Sequence, residues 1–261
     1  MAEQTKAVTN EKSDVKAVIG VVSGKGGVGK SFSTAMLAVT LAKEGFKVGI
    51  LDADITGPSI PHLFNVESGV YGDAVSIYPA VTRRLGIKVI SSSLLLTEDD
   101  DPIMWRGPLI GDLVTQFFTT VSWGELDFLL LDFPPGTSDV ALSAYGSLPL
   151  DGIILVTTPQ TMVQTIVKKA VNMAEQLSVP IFGVIENMAY IKCPKCGEKI
   201  NFYGDKLSDQ KNYFDLPVLT SLPLEPKNTK LGDEGKIELA DTTLFSEVVQ
   251  QIITKIGEKN D

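Results

Sequence analysis

Short apolar runs of strand length alternate along this chain with longer segments whose apolar residues recur at helical spacing. Residues 17–22 (Ala-Val-Ile-Gly-Val-Val) and 47–51 (Lys-Val-Gly-Ile-Leu) read as buried strands, and Ser31 to Glu44 between them carries the three-to-four residue period of a helix. Gly45 supplies the stop for that helix. Further runs of strand character lie at 85–90, 128–131, 152–157, 181–185 and 218–222, with helical patterns over 109–121, 161–177 and 207–213. A last helix carries an apolar stripe of Leu244, Val248, Ile252 and Ile256, as expected of a helix docked on its own sheet. Strands alternating with helices predict an α/β fold, a mostly parallel sheet with helices on both faces that forms a three-layer sandwich. In such folds ligands gather at the carboxyl ends of the strands.

The length of 261 residues suits one domain, expected over 15–261. Residues 1–14 are rich in Lys, Glu, Thr and Asn and are expected to be a disordered tail. The net charge of -9 argues against a surface built to neutralise phosphodiester backbones, so nucleic acid is not an expected partner. No apolar stretch approaches the roughly 20 residues that span a bilayer, and the first residues hold no signal-like segment, so a cytoplasmic protein without a membrane partner is expected. The acidic run Glu98-Asp99-Asp100-Asp101 lacks the spacing and glycine of a calcium loop and reads as a solvated turn.

The first strand runs into Gly24-Lys25-Gly26-Gly27-Val28-Gly29-Lys30-Ser31. This is a phosphate-binding loop of the form G-x-x-x-x-G-K-[ST], in which backbone N–H groups cradle phosphates, the lysine reaches the β and γ oxygens and the hydroxyl ligates magnesium. Lys25 is an extra cation inside the loop, placed to lie near a bound anion or near the anion of a facing subunit, where it could neutralise charge on a transferring phosphoryl group. Asp132 ends the apolar run 129–131, as a magnesium-holding carboxylate at a strand end does. Asp52 and Asp54 flank Ala53 at the end of the second strand, before Gly57 and Pro58 break it into a switch-like loop. Asn187 follows the strand at 181–185, where its amide offers one donor and one acceptor to a base edge.

Two cysteines occur, in Cys193-Pro194-Lys195-Cys196-Gly197. That spacing lets two thiolates on a tight turn share a metal or cluster. They supply half of a four-thiolate shell, and the chain holds no further cysteine, so the missing ligands are expected from a second copy across a two-fold axis. Zn²⁺ and a [4Fe-4S] cluster both accept such a set, and spacing does not separate them.

The loop with its extra lysine, together with Asp52-Ala53-Asp54-Ile55-Thr56-Gly57-Pro58-Ser59 and Asp132-Phe133-Pro134-Pro135-Gly136-Thr137-Ser138-Asp139, resembles the MinD-like (SIMIBI) branch of P-loop ATPases. Within it, Met104-Trp105-Arg106-Gly107-Pro108, Glu186-Asn187-Met188 and the cysteine motif resemble the Mrp/ApbC family of iron–sulfur cluster carriers, over residues 17–256. The resemblance implies an Mg²⁺-dependent ATPase and homodimer that holds a [4Fe-4S] cluster between two Cys193/Cys196 pairs and delivers it to apo iron–sulfur proteins. It further implies that Asp54 positions the attacking water, Asp52 assists around magnesium, Asp139 links a second switch to the γ-phosphate, and Asn187 contacts adenine. Residues 1–16 hold no cysteine, so a second, permanently held cluster is not expected there. The rival expectation is a MinD-like positioning ATPase in which the cysteine pair is a structural zinc knuckle.

Overall fold

The computed structural model of the chain describes residues 6–55, 57–68, 70–72, 76–95, 107–136, 146–160, 164–203 and 216–260. Asp139, Met104-Trp105-Arg106, the acidic run at 98–101 and the helix expected over 207–213 lie outside the described residues. The described strands are β1 (Ser13–Ser23), β2 (Val48–Asp52), β3 (Tyr71–Gly72), β4 (Ile77–Tyr78), β5 (Ala80–Val81), β6 (Lys88–Ser91), β7 (Gly124–Asp132), β8 (Gly152–Thr157), β9 (Ile181–Lys192), β10 (Lys199–Ile200) and β11 (Val218–Pro223). The helices are α1 (Lys30–Lys43), α2 (Ile60–Phe64), α3 (Gly107–Thr120), α4 (Gln164–Gln176), α5 (Pro226–Asp233) and α6 (Thr243–Asn260).

Among the described residues, nine strands form one sheet in the order β10-β9-β8-β1-β7-β2-β6-β5, with β11 also paired to β9. All its pairings are parallel except β5 with β6 and β9 with β10. Parallel strands covered on both faces read as continuous apolar runs, because successive side chains enter two different cores. From β1 and β7, Val18, Val22, Leu129 and Leu131 join Phe117 and Phe118 of α3 and Ala170 and Ala174 of α4. The intervening Ile19, Val21 and Leu130 join Leu37 and Leu41 of α1 and Val248 and Ile252 of α6. These two cores are the interfaces of the three-layer sandwich.

Helix α1 packs closely on the sheet although it contains hydroxyls, because Ser33 and Thr40 donate to the carbonyls of Gly29 and Met36 one turn earlier. In α6, Phe245, Val248, Val249 and Ile252 are buried, whereas Leu244, expected on the apolar stripe, stands 42% exposed. Ahead of the apolar part of β1, hydrogen bonds place a segment whose composition alone points to a tail. Ala7 N–H donates to Ser147 O at 2.7 Å, and the Asn10 side chain to Thr120 O at 3.1 Å. No helix among the described residues is long and apolar enough to cross a membrane.

The strand expected over 181–185 departs most from its sequence reading. It continues to Lys192, so Asn187 lies within β9 and not after it. Its neighbour β8 ends at Thr157, which pairs with Glu186. Asn187 therefore still sits at the carboxyl edge of the sheet's centre, while β9 runs on beside β11 and turns into β10. Met188, at φ 55, breaks the strand alternation at that edge.

Candidate functional site

The carboxyl ends of β1, β2 and β7 converge on the start of α1. In the loop between β1 and α1, Gly27 and Gly29 take φ of 79° and 81°, the left-handed region that favours glycine. A Cβ at Gly29 would also come within 2.1 Å of Asn187 Nδ2, so that position is closed to any side chain unless Asn187 moves.

Lys30 and Asp132 form a buried pair. Lys30 Nζ lies 2.7 Å from Asp132 Oδ2, with the side chains 6% and 0% exposed. Ser31 Oγ donates to the same oxygen at 2.5 Å, and Thr34 Oγ1 donates to Oδ1 at 2.7 Å. Asp52 stands beside Asp132 in the parallel register of β2 and β7 and is fully buried. It accepts from the N–H groups of Asp54 and Ile60 and from the Ser91 hydroxyl, at 3.2 to 3.3 Å. Burial, then the charge of Asp132, push the Asp52 carboxyl up to about 8, and Lys30 pulls in the opposite direction.

This shift has a consequence for stability. The folded chain binds a proton at Asp52 that the unfolded chain releases near pH 4, so between there and about pH 8 the folded state holds more protons and loses stability as pH rises. The protein without added metal or nucleotide should show a fall in melting temperature from pH 5 to pH 8 that Asp52→Asn reduces. Equal slopes in the two proteins would show that Asp52 ionises normally.

Two cavities adjoin at Gly29, Phe32 and Leu63, which line both. One, of about 290 Å³, is bordered by Lys25, Gly26, Gly27, Lys30, Ser31, Asp54, Ser59 and Pro135. It thus brings the loop lysines and Asp54 to one space, while Asp52 lies behind it. Lys25 Nζ donates to Gln160 Oε1 at 2.6 Å, just past the end of β8. The second cavity, of about 220 Å³, is lined by Asn187, Met188 and the segment from Pro223 through Glu225 into α5. Asn187 Nδ2 donates to Val28 O at 2.9 Å, which ties β9 to the loop.

Neither Thr34 nor Gln160 was singled out from sequence. Thr34 lies one turn after Ser31, so helical spacing already put it on the same face. Gln160 follows a predicted strand end, the rule that located the aspartates.

The cysteines lie on the β9–β10 hairpin. Cys193 N–H donates to Glu198 O at 2.8 Å and Gly197 N–H to Cys193 O at 2.9 Å, closing a tight turn with Gly197 at φ 75. Hydrogen bonds from the backbone of Cys196 and then Lys195, and from the Cys196 side chain, hold the Cys193 thiol below its ordinary range. Cys193 is half-buried and Cys196 exposed, both unbridged. Among the described residues, no group of three or more His, Cys, Asp or Glu is arranged to hold a metal.

Residues 14–257 match the family model described as ParA, NUBPL iron-transfer P-loop NTPase. An iron-sulfur cluster carrier protein of Clostridium perfringens is 46% identical over 244 residues, covering 89% of this chain and 85% of the relative. A nucleotide-binding protein from Archaeoglobus fulgidus, solved in complex with ADP, superposes with a TM-score of 0.78 at 43% identity and covers 87% of this chain and 89% of its own. The cell division ATPase MinD of Pyrococcus furiosus, at 20% identity and TM-score 0.63 over 92% of this chain and 99% of its own, shares the fold.

Proposed function

The chain belongs to the family of iron-transfer P-loop NTPases, and from that premise we propose that it is an ATP-hydrolysing carrier of [4Fe-4S] clusters. In this reading the cluster sits between the Cys193/Cys196 pairs of two copies and passes to apo iron–sulfur proteins in the cytoplasm. The observation that carries the reading is the cysteine hairpin: two thiols on an accessible turn, one held toward thiolate, with half of a four-thiolate shell in each chain. A cargo held by few ligands at a seam between copies is easily given up, as a carrier requires.

For the nucleotide, the 290 Å³ cavity takes the triphosphate and the 220 Å³ cavity the adenine, with Asn187 at its edge. The loop N–H groups and Lys30 hold the phosphate oxygens, and Lys25, moving from Gln160, neutralises charge on the γ-phosphoryl group. Asp54 borders the same cavity and orients water for in-line attack. The new P–O bond comes from that water, the bond to the β-phosphate oxygen breaks, and ADP and phosphate leave. Asp139 is assigned to the second switch. Ser31 Oγ and the Asp132 carboxylate, with Asp52 behind them, are the hard oxygen donors that Mg²⁺ prefers. Bound there, Mg²⁺ would supply charge neutralisation to the phosphates.

Gly29→Ala is expected to weaken ATP binding by about tenfold or more in calorimetric titration, because it strains a left-handed residue and displaces Asn187 from both the loop and the base cavity. An affinity within about twofold of wild type would remove Asn187 from the site.

The carrier reading is tested by mixing anaerobically loaded protein with an apo-enzyme whose activity needs a [4Fe-4S] cluster, in the presence of an iron chelator. Activation that matches the loss of cluster from the carrier is expected. Activation no faster than with free iron and sulfide overturns the transfer step.

A further inference from the structure

Resting on the cluster-carrier reading, we infer that the β9–β10 hairpin and the turn after it form the seam of the loaded dimer. In that seam Ile200 and Phe202 close against a second copy, and a lysine collar makes the closure depend on the anionic cargo.

The first observation is exposed apolar surface beside the cysteines. Phe202 stands 66% exposed and Ile200 51% exposed, while Leu224, whose N–H donates to Tyr190 O on β9, is 43% exposed. Ile200 pairs with Ile191 across the hairpin, and the neighbouring register pair, Lys199 with Lys192, abuts Cys193. The Phe202 ring meets Tyr203 edge-on at 5.0 Å yet keeps most of its area in water, and together with Ile200 it leaves apolar surface uncovered on the hairpin and the turn after it.

The cysteine count selects a second copy as that cover. A four-thiolate shell built from two chains places a two-fold axis through the cluster, so each hairpin must approach its symmetry mate to within little more than the width of the cluster. Residues two to six positions beyond Cys196 then lie at the same seam, and any side chain there meets its own equivalent or a close neighbour of it.

Charge decides when the seam closes. The hairpin holds Lys192, Lys195 and Lys199 against Glu198, and with Glu225 beside Lys192 counted it keeps a net charge of +1 inside a chain of -9. Lys192 lies 3.8 Å from Glu225, and Lys199 Nζ sits 4.7 Å from the centre of the Tyr190 ring, so both cations stay at the hairpin. Two such hairpins face to face repel. A [4Fe-4S] core with four thiolates is anionic in its ordinary oxidised form and compensates this repulsion. Filling the site therefore draws the copies together and lets the apolar side chains pack, and losing the cargo restores the repulsion and opens the seam.

The experiment is anaerobic sedimentation of iron- and sulfide-loaded wild type, Phe202→Asp, Ile200→Asp and Lys195→Glu, with iron content and ATP affinity measured on each. Phe202→Asp and Ile200→Asp should weaken the loaded dimer by about tenfold or more and leave ATP affinity and the melting temperature of the metal-free protein unchanged. Lys195→Glu should speed loss of the cluster several-fold with both thiols intact. A loaded dimer indifferent to the Phe202 and Ile200 substitutions overturns the seam and leaves the carrier reading standing. Lower melting temperatures of the metal-free variants would show that these side chains are covered by their own chain, which also overturns it. Wild type that takes up no iron counts against the carrier reading and takes the seam with it.

Discussion

Replacing Cys193 or Cys196 by Ala is expected to abolish cluster holding while leaving ATP affinity and fold unchanged. Each substitution removes two thiolates from a site formed by two copies, which leaves two of the four that a cube of iron and sulfide requires. Cys193 carries the larger local investment. Its thiol is held down by hydrogen bonds from the backbone of Cys196 and Lys195, so it is the better ligand at neutral pH. Structural cost should be small, because neither cysteine belongs to either core and the hairpin turn is closed by backbone bonds from Cys193 and Gly197 that an alanine at position 193 preserves. Neither cavity at the phosphate loop is lined by a cysteine. Iron and acid-labile sulfide should fall to background in both variants after anaerobic reconstitution, with calorimetric ATP binding as the control. Wild-type iron content in either single variant would place the cluster elsewhere.

The second large effect is expected at Lys30. Lys30→Ala should abolish Mg-ATP binding, because the ammonium is the buried cation between the loop and the carboxylates of β2 and β7. It should also destabilise the fold by about 3–5 kcal/mol, because the Asp132 carboxylate stays buried without its cationic partner. Lys30→Met keeps the stem of the side chain and separates the two effects, since it should lose binding with less loss of packing. Asp54→Asn should behave differently. The residue borders the phosphate cavity without taking part in the buried pair, so ATP should bind within a few-fold of wild type while turnover falls by about 10²-fold or more. Phosphate release and calorimetric titration on the same preparations measure both quantities. Turnover in Lys30→Ala at the wild-type rate would remove the nucleotide from this loop.

Much of this site was legible in the sequence because its parts are local. The spacing from Gly24 to Ser31 is a loop whose glycines are needed by the backbone, and Asp132 and Asp52 terminate apolar runs that could only be buried strands. The cysteine pair marks its own turn, and the count of two thiols per chain is read directly off the sequence. What escaped was formed by contacts distant in sequence. Lys25 meets Gln160 across 135 positions and Thr34 meets Asp132 across 98, pairings that no window contains. The wall of the second cavity, from Pro223 into α5, joins the site through β11 pairing with β9, and that pairing passes through register shifts. Strands β3, β4 and β5 are two residues each, too short for alternation to register, and α2 has five residues with Pro61 near its start. The continuation of β9 past Asn187 is hidden because the polar pair Glu186-Asn187 interrupts the apolar run and Met188 takes φ 55 inside the strand.

The central claim is that one cluster is shared by two copies of this chain. Anaerobic native mass spectrometry of the wild-type protein after incubation with iron and sulfide tests it directly. The account predicts a dimer whose added mass corresponds to about four irons and four sulfides, and that mass should be absent from Cys196→Ala. A monomer carrying an intact cluster, or a dimer that retains only zinc after the same treatment, would contradict it.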